Sequence, residues 1–169
     1  TWAGTGLREI HISGDIAIAV ELMFEATGST AWLASTGFPI VSQVAEMWCS
    51  RAEPSSEDNL LHINGVIPPD ELVHPSSVAH FACFQSFPTH AQNADHKNDS
   101  IYTNWVAVRS LRFAAAAAAV LGDRSFNTSR WIDVSNRISL VYDAAADYHP
   151  EFAGYKGKTV KQADVVLLP

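Results

Sequence analysis

Charge is scarce in this chain. Only 17% of its 169 residues are Asp, Glu, Lys or Arg, and 18 acidic residues outnumber 11 basic ones, for a net charge of −7. The basic residues form no run or stripe, which argues against a nucleic-acid partner. Cysteine is scarcer still: Cys49 and Cys83 are the two present, too few for a disulfide framework. Cys49 falls in an apolar helical run and reads as a small buried hydrophobe. No uncharged apolar run reaches the roughly 18 residues of a membrane-spanning helix. The most apolar stretch is broken by Arg112 and diluted to alanine. There are 7 histidines, but none sits in an H-E-x-x-H or H-x-x-x-H spacing, and no C-x-x-C is present. His74, His80, His90 and His96 are loosely scattered, so no metal or other cofactor is expected. A Gly-rich phosphate loop, a G-x-S-x-G elbow and a dinucleotide fingerprint are also missing.

What is there suits one globular domain. The hydrophobic fraction is 47%, enough for a real core at this length. The chain opens on Thr1 without an initiator methionine and stops in "KQADVVLLP", an apolar run only beginning. Both ends read as cuts in a longer protein. Asn98 and Asn127 each begin a glycosylation acceptor triplet, a match common by chance. Compartment and oligomeric state stay open.

The periodicities predict helices. Ser13 is a fair N-cap for "GDIAIAVELMFEATG", with Asp15 in its first turn and Gly28 as its stop. The run Ile16 to Phe24 is apolar on nearly every side, which predicts a helix buried all round. "STAWLASTG" reads as a linker turn with its own capping serine. In "FPIVSQVAEMWCSRA", Ile40, Val44, Met47 and Trp48 define an amphipathic stripe. "LLHINGVIPP" alternates in part and predicts a short extended or hairpin segment. Residues 72 to about 96 show no period. Trp105, Val108, Leu111 and Ala115 share a face of "NDSIYTNWVAVRSLRFAAAAAAVLG", which Gly122 ends. Trp131, Val134, Ile138 and Val141 make a further stripe, and another helix begins near the C-terminus. With no alternation of strand and helix, the fold class is all-α or mostly α, built of paired helices.

Three places can carry chemistry. Pro68 and Pro69 restrict the backbone ahead of Asp70 and Glu71, which either aims a carboxyl or makes a polar turn. Glu9, His11 and Asp15 near a helix N-terminus suit sugar hydroxyls or a phosphate, or else local capping beside a solvated Arg8–Glu9 pair. Tyr148, His149, Glu151, Phe152 and Tyr155 in "DYHPEFAGYKG" suit a sugar, whose C–H faces stack on rings while its hydroxyls bond carboxylates. The alternative is a loop packing its aromatics inward.

Taken in order, "EIHISGDIAIAVELMFEATGSTAWL", "AEMWCSR", "HINGVIPPDE", "NDSIYTN", "YHPEFAGYKG" and "KQADVVLL" closely resemble glycoside hydrolase family 65 over nearly the whole chain. "HINGVIPPDE" and "YHPEFAGYKG" are most similar to its acid trehalase-like branch of glucosylgalactosylhydroxylysine glucosidases. The resemblance implies an (α/α)₆ barrel, a six-hairpin toroid with long loops at the active-site end, of which residues 1–169 are a central part. It implies an inverting glycosidase acting on an α-glucoside, with Glu71 as the general acid. It implies that Lys161 and Gln162 contact the non-reducing glucose, that His11 and Asp15 lie near the pocket, and that the helix of Asn104 lies under the acid. Glu46 and Arg51 are expected to form a structural ion pair.

Two departures qualify the match. The family passes from its acid through a short loop into the Tyr-Thr-Asn helix, whereas here about twenty residues, 72–93, intervene. They read as an insertion, either a translated non-coding segment or a lid loop over the pocket. The hydrolases' general base lies beyond the KQADVVLL motif. The isolated chain is therefore expected to be inactive without the remainder of the catalytic domain. The competing readings are a disaccharide phosphorylase of the trehalose or kojibiose type and a non-catalytic helical fragment.

Overall fold

The computed structural model describes residues 7–69, 97–157 and 163–168. It is mostly helical: α1 (His11–Thr27), α2 (Thr30–Trp32), α3 (Phe38–Arg51), α4 (Ile101–Leu121) and α5 (Thr128–Arg137), with a 3₁₀ turn at Asp164–Leu167. β1 (Glu53–Pro54) and β2 (Leu61–His62) pair antiparallel, with Glu53 opposite His62. Only β2 falls within the segment expected to be extended, 60–69; its partner β1 lies in the stretch directly after α3.

Several boundaries depart from the periodic reading. α1 begins at His11, leaving Ser13 inside the helix, and Ile10 stands at its N-cap without a side-chain hydrogen bond. Ser29 does cap, its hydroxyl accepting from the Trp32 amide at 3.2 Å. The segment it opens is helical and no linker: α2 runs through a π-type turn at Leu33–Gly37 straight into α3. The widened turn has a local cause. Pro39 lacks an N–H, and its ring would crowd the carbonyl four residues back in a regular helix. The Phe38 amide bonds instead to Leu33 O, five residues back. Gly122 ends α4 in the left-handed conformation at φ 66°, its N–H turned onto Ala118 O and Ala119 O, as the sequence predicts.

The helices form two antiparallel hairpins laid side by side. α1 and α4 run parallel: Asp15 meets Tyr102, Glu21 meets Arg109 and Phe24 meets Phe113. α3 runs back along α1, with Gly37 against Val20 and Trp48 against Gly14. α5 returns along α4, so that Asn104 near the start of α4 reaches Ser139 just past the end of α5. The helices come close at Gly14, where a Cβ would lie 2.7 Å from Val106 Cγ2. α4 is flanked by α1, α3 and α5. It is accordingly buried on more sides than one stripe predicts, from Ile101 and Val106 to Leu111, Ala114, Ala117 and Ala118.

The stripe on α3 is turned by about one residue. Phe38, Val41, Ala45, Trp48 and Cys49 are buried, while Ile40 is exposed. On α5, Trp131 and Val134 face inward as predicted, but the helix stops at Arg137. Its backbone leaves to pair with β2, through a parallel bridge between Leu61 and Ile138. α1 is not buried all round. Gly14, Ala17 and Val20 face α3 and α4, whereas Ile12, Ile16, Leu22 and Met23 are each about half exposed, at 47–52%. Among the described residues nothing covers that outer face.

Candidate active site

The parallel run of α1 and α4 brings both N-terminal ends to one end of the bundle. The irregular segments return to that same end. The segment after β2 is stitched to its neighbours almost residue by residue. The Gly65 amide donates to Asn98 Oδ1, Val66 and Lys97 exchange backbone hydrogen bonds, and the Ile67 amide donates to Arg8 O. Arg8 donates back to Gly65 O at 3.1 Å, and Arg51 to Asn64 O at 3.3 Å. Ile63, Val66 and Ile67 are buried beneath. These bonds deliver Pro68 and Pro69 beside the start of α1.

Of the residues singled out in the sequence, His11 and Asp15 are brought together with Tyr102. Asp15 Oδ1 accepts the Tyr102 hydroxyl at 2.7 Å, and the His11 and Tyr102 rings meet edge-on at 6.0 Å. Burial, and then the neighbouring carboxylates of Asp15 and Asp164, push the Tyr102 phenol well above the ordinary tyrosine value. It stays a neutral donor, so it can orient Asp15 at any physiological pH. Glu71, Lys161 and Gln162 lie outside the described residues, as does the 72–93 insertion.

The tyrosine-rich loop divides between the two roles its sequence allows. Glu151 is buried and points inward. Its carboxylate accepts the Asp164 amide at 3.0 Å, and its backbone carbonyl accepts the Ile101 amide at the start of α4. It therefore ties the turn at Asp164 to α4. Tyr142 and Tyr148 are exposed, and with Asp143, Tyr155 and Lys156 they line an open recess of about 510 Å³. A larger recess, about 750 Å³, lies between α1 and α4 around Phe24, Trp105 and Phe113, and neither His11 nor Asp15 lines it.

The expected Glu46–Arg51 pair does not form. Residues five apart on a helix point in different directions. Glu46 instead accepts Trp131 Nε1 at 2.7 Å and pairs with Arg130, anchoring α5 on α3. Cys49 is free and buried, and burial raises its thiol pKa above the usual value, as expected of a small core side chain.

Sequence reasoning missed one cluster altogether. His62 lies between two carboxylates, with Nδ1 2.5 Å from Asp99 Oδ2 and Nε2 3.2 Å from Asp58 Oδ2. Asp99 is buried, and its other oxygen accepts from the Asn104 amide group at 2.9 Å and from the Ile63 backbone at 3.3 Å. The hydrogen bond to Asp99, reinforced by Asp58, raises the His62 pKa against an opposing effect of burial. Both His62 and Asp99 stand inside motifs visible in the sequence, but 37 positions apart.

One end of the bundle thus gathers an oriented carboxylate, a phenol and a proline-stiffened turn, polar groups that suit the recognition of a polyhydroxylated ligand. The model of the glycosyl hydrolase family 65 central catalytic domain matches residues 1–165. The chain belongs to glycosyl hydrolase family 65. Family 65 relatives cover nearly all of it. It is 42% identical to the mouse protein-glucosylgalactosylhydroxylysine glucosidase, over 96% of this chain and 21% of that protein. It is 31% identical to a kojibiose hydrolase of Flavobacterium johnsoniae, over 97% of this chain and 20% of the relative. A kojibiose phosphorylase of Caldanaerobacter subterraneus is 25% identical, over 89% and 19%. The chain spans about a fifth of the length of these relatives.

Proposed function

We propose that this chain is the central part of an inverting α-glucoside hydrolase of the glucosylgalactosylhydroxylysine type, with Glu71 as general acid. The observation that carries the reading is the convergence at one end of the bundle. The chain that leads to Glu71 is pinned there by the Ile67–Arg8 hydrogen bond. His11, Asp15 and Tyr102 stand at the same end, and Glu151 holds the Asp164 turn that comes just after Lys161 and Gln162. Two residues of chain span at most about 7 Å, so Glu71 is tethered close to Pro69.

In this reading Glu71 protonates the glycosidic oxygen as the bond to glucose breaks. It must hold its proton near neutral pH, which apolar surroundings favour. Val66 and Ile67 supply such surroundings upstream. Lys161, Gln162, His11 and Asp15 bind the glucosyl hydroxyls. Inversion needs a second carboxylate to activate water from the opposite face, and the family resemblance puts it beyond the KQADVVLL motif. The two hairpins, with like helices parallel, form part of an (α/α)₆ toroid. The apolar outer face of α1 then meets the remaining helices of the catalytic domain, a partner this reading requires. Residues 72–93 are an insertion beside the acid.

The kojibiose phosphorylase match favours a second reading, in which inorganic phosphate takes the place of the activated water. Product analysis of the full-length protein with and without phosphate separates the two. The acid assignment is tested by Glu71→Gln in the full-length protein. Turnover of a natural disaccharide should fall about 10²–10⁴-fold, while α-glucosyl fluoride, whose leaving group needs little protonation, should be much less affected. Undiminished turnover of the disaccharide refutes Glu71.

A further inference from the structure

We propose that His62 and Asp99 are positioning residues for the general acid, a clasp that fixes the strand presenting the Pro68–Pro69 turn against the first turn of α4. The inference rests on the reading of Glu71 as that acid.

The geometry is that of a hub. Asp99 sits immediately before Ser100, the N-cap of α4. Its two carboxylate oxygens serve three partners: His62 at the end of β2, the Ile63 amide just after it, and Asn104 on α4. Its own amide donates to Ile63 O at 3.0 Å, so residues 63 and 99 are laced by both backbone and side chain. Asn104 extends the hub to Ser139 O at 2.6 Å, beyond the end of α5. Asp99 holds this place in the left-handed backbone region, at φ 49°, a conformation that is uncommon away from glycine.

What the clasp holds is the approach to the acid. Pro68 and Pro69 have no N–H, so neither can donate a backbone hydrogen bond to anchor the turn. Its orientation is inherited from the bonds made between His62 and Ile67. Most of these are backbone contacts, which adjust to small shifts. The His62–Asp99 pair joins two side chains at 2.5 Å, and its acceptor is a buried carboxylate, a stronger and more directional kind of hydrogen bond than one between neutral groups. The charged groups around the ring are Asp58 on the loop ahead of β2, Asp99 before α4, Glu53 across the ladder, and Arg137 of α5, whose side chain bonds Asn59 O. The two carboxylates in direct contact raise the imidazole pKa, against an opposing effect of burial.

The consequence is specific to leaving groups. A displaced acid slows only the step that needs its proton, and misplacement by ~1 Å can cost ~100-fold in rate. The test compares His62→Leu, His62→Asn, Asp99→Asn and Glu71→Gln in the full-length protein, on a natural disaccharide and on α-glucosyl fluoride. His62→Leu and Asp99→Asn should lower kcat on the disaccharide by about 10-fold or more, leave KM within a few-fold, and largely spare the fluoride. His62→Asn keeps a donor near the Nδ1 position and should recover most of the loss. If His62→Leu does not fold, as judged by its urea transition, the Asp99→Asn and His62→Asn comparison carries the same information. Equal losses on both substrates, or no loss, overturn the clasp while leaving a selective Glu71→Gln defect intact. If Glu71→Gln itself spares the disaccharide, the reading of the acid falls and the clasp with it.

Discussion

The helical body and the end that carries the motifs are held together by different physics. Where α1, α3 and α4 meet, the contact is almost wholly apolar and very close: Gly14 lets Val106 and Trp48 onto the backbone of α1, and Trp48 is fully buried. At the motif end, the backbone from Asn64 to Pro69 and from Lys97 to Ser100 belongs to no long helix or sheet. Its polar groups are satisfied one at a time, by Arg8, Arg51, Asn98 and Asp99. Packing gives a large, non-directional stabilisation. Single hydrogen bonds add little net stability, but they fix direction and register. The body should therefore govern whether the protein folds, and the motif end how well it turns over.

The largest effect should come from Trp48→Ala. This ring fills the junction of the hairpins, and its Nε1 has no hydrogen-bond partner among the described residues, so its contribution is packing alone. Removal should cost about 3–5 kcal/mol, read from urea unfolding of the full-length protein. A cost near 1 kcal/mol would remove the distinction between body and end. Trp131 makes a useful contrast because its indole also bonds Glu46.

Gly14→Ala should come next. The new methyl would stand 2.7–2.8 Å from Val106 and 3.3 Å from Trp48, so a helix must shift, at about 1–3 kcal/mol. Val106→Ala should relieve part of the clash, because it removes Cγ2 at 2.7 Å but keeps Cβ at 2.8 Å. The double variant should be more stable than the sum of the single costs predicts, by about 0.5 kcal/mol or more. Strict additivity would mean that α1 and α4 do not touch at this point.

Legibility from the sequence divides along the same line. Helix identity and the caps at Ser29 and Gly122 are local chemistry, and they are readable. So is the extended segment before the prolines. The faces are less so. Ile16 to Phe24 suggests burial all round because apolar residues do not say which neighbours lie in the same stretch of chain. On α3, Val41 and Ala45 face inward in place of Ile40 because the neighbours packed on the helix, which a stripe does not name, decide its inward side. Glu46 and Arg51 suggest a pair by charge alone, but Glu46 goes to α5, 84 positions away for Arg130. The candidate site shows the same limit. His11 and Asp15 stand out by pattern, yet Tyr102, which orients Asp15, lies 87 positions on. His62 and Asp99 are each visible within a motif, but no periodicity connects them. Glu151 illustrates an ambiguity that burial alone resolves: an acid among aromatics suits a sugar, and here it holds a backbone amide instead.

The smallest effect on stability should come from Tyr102→Phe, and it is the sharpest probe of the division. The substitution keeps the ring that meets His11 and Trp105 and removes only the hydroxyl donated to Asp15. Asp15 is partly exposed, so water can replace the lost donor, and the cost should be about 1 kcal/mol. The effect on function should be of a different kind from that of Glu71 or His62. Asp15 is proposed to bind glucosyl hydroxyls, so freeing its carboxylate weakens the grip on the sugar common to every substrate. KM should rise severalfold for the disaccharide and for α-glucosyl fluoride alike, with no selectivity for the poorer leaving group. A stability loss like that of Trp48→Ala would make Tyr102 part of the packed body. A defect confined to the disaccharide would move Asp15 from sugar binding to the support of the acid.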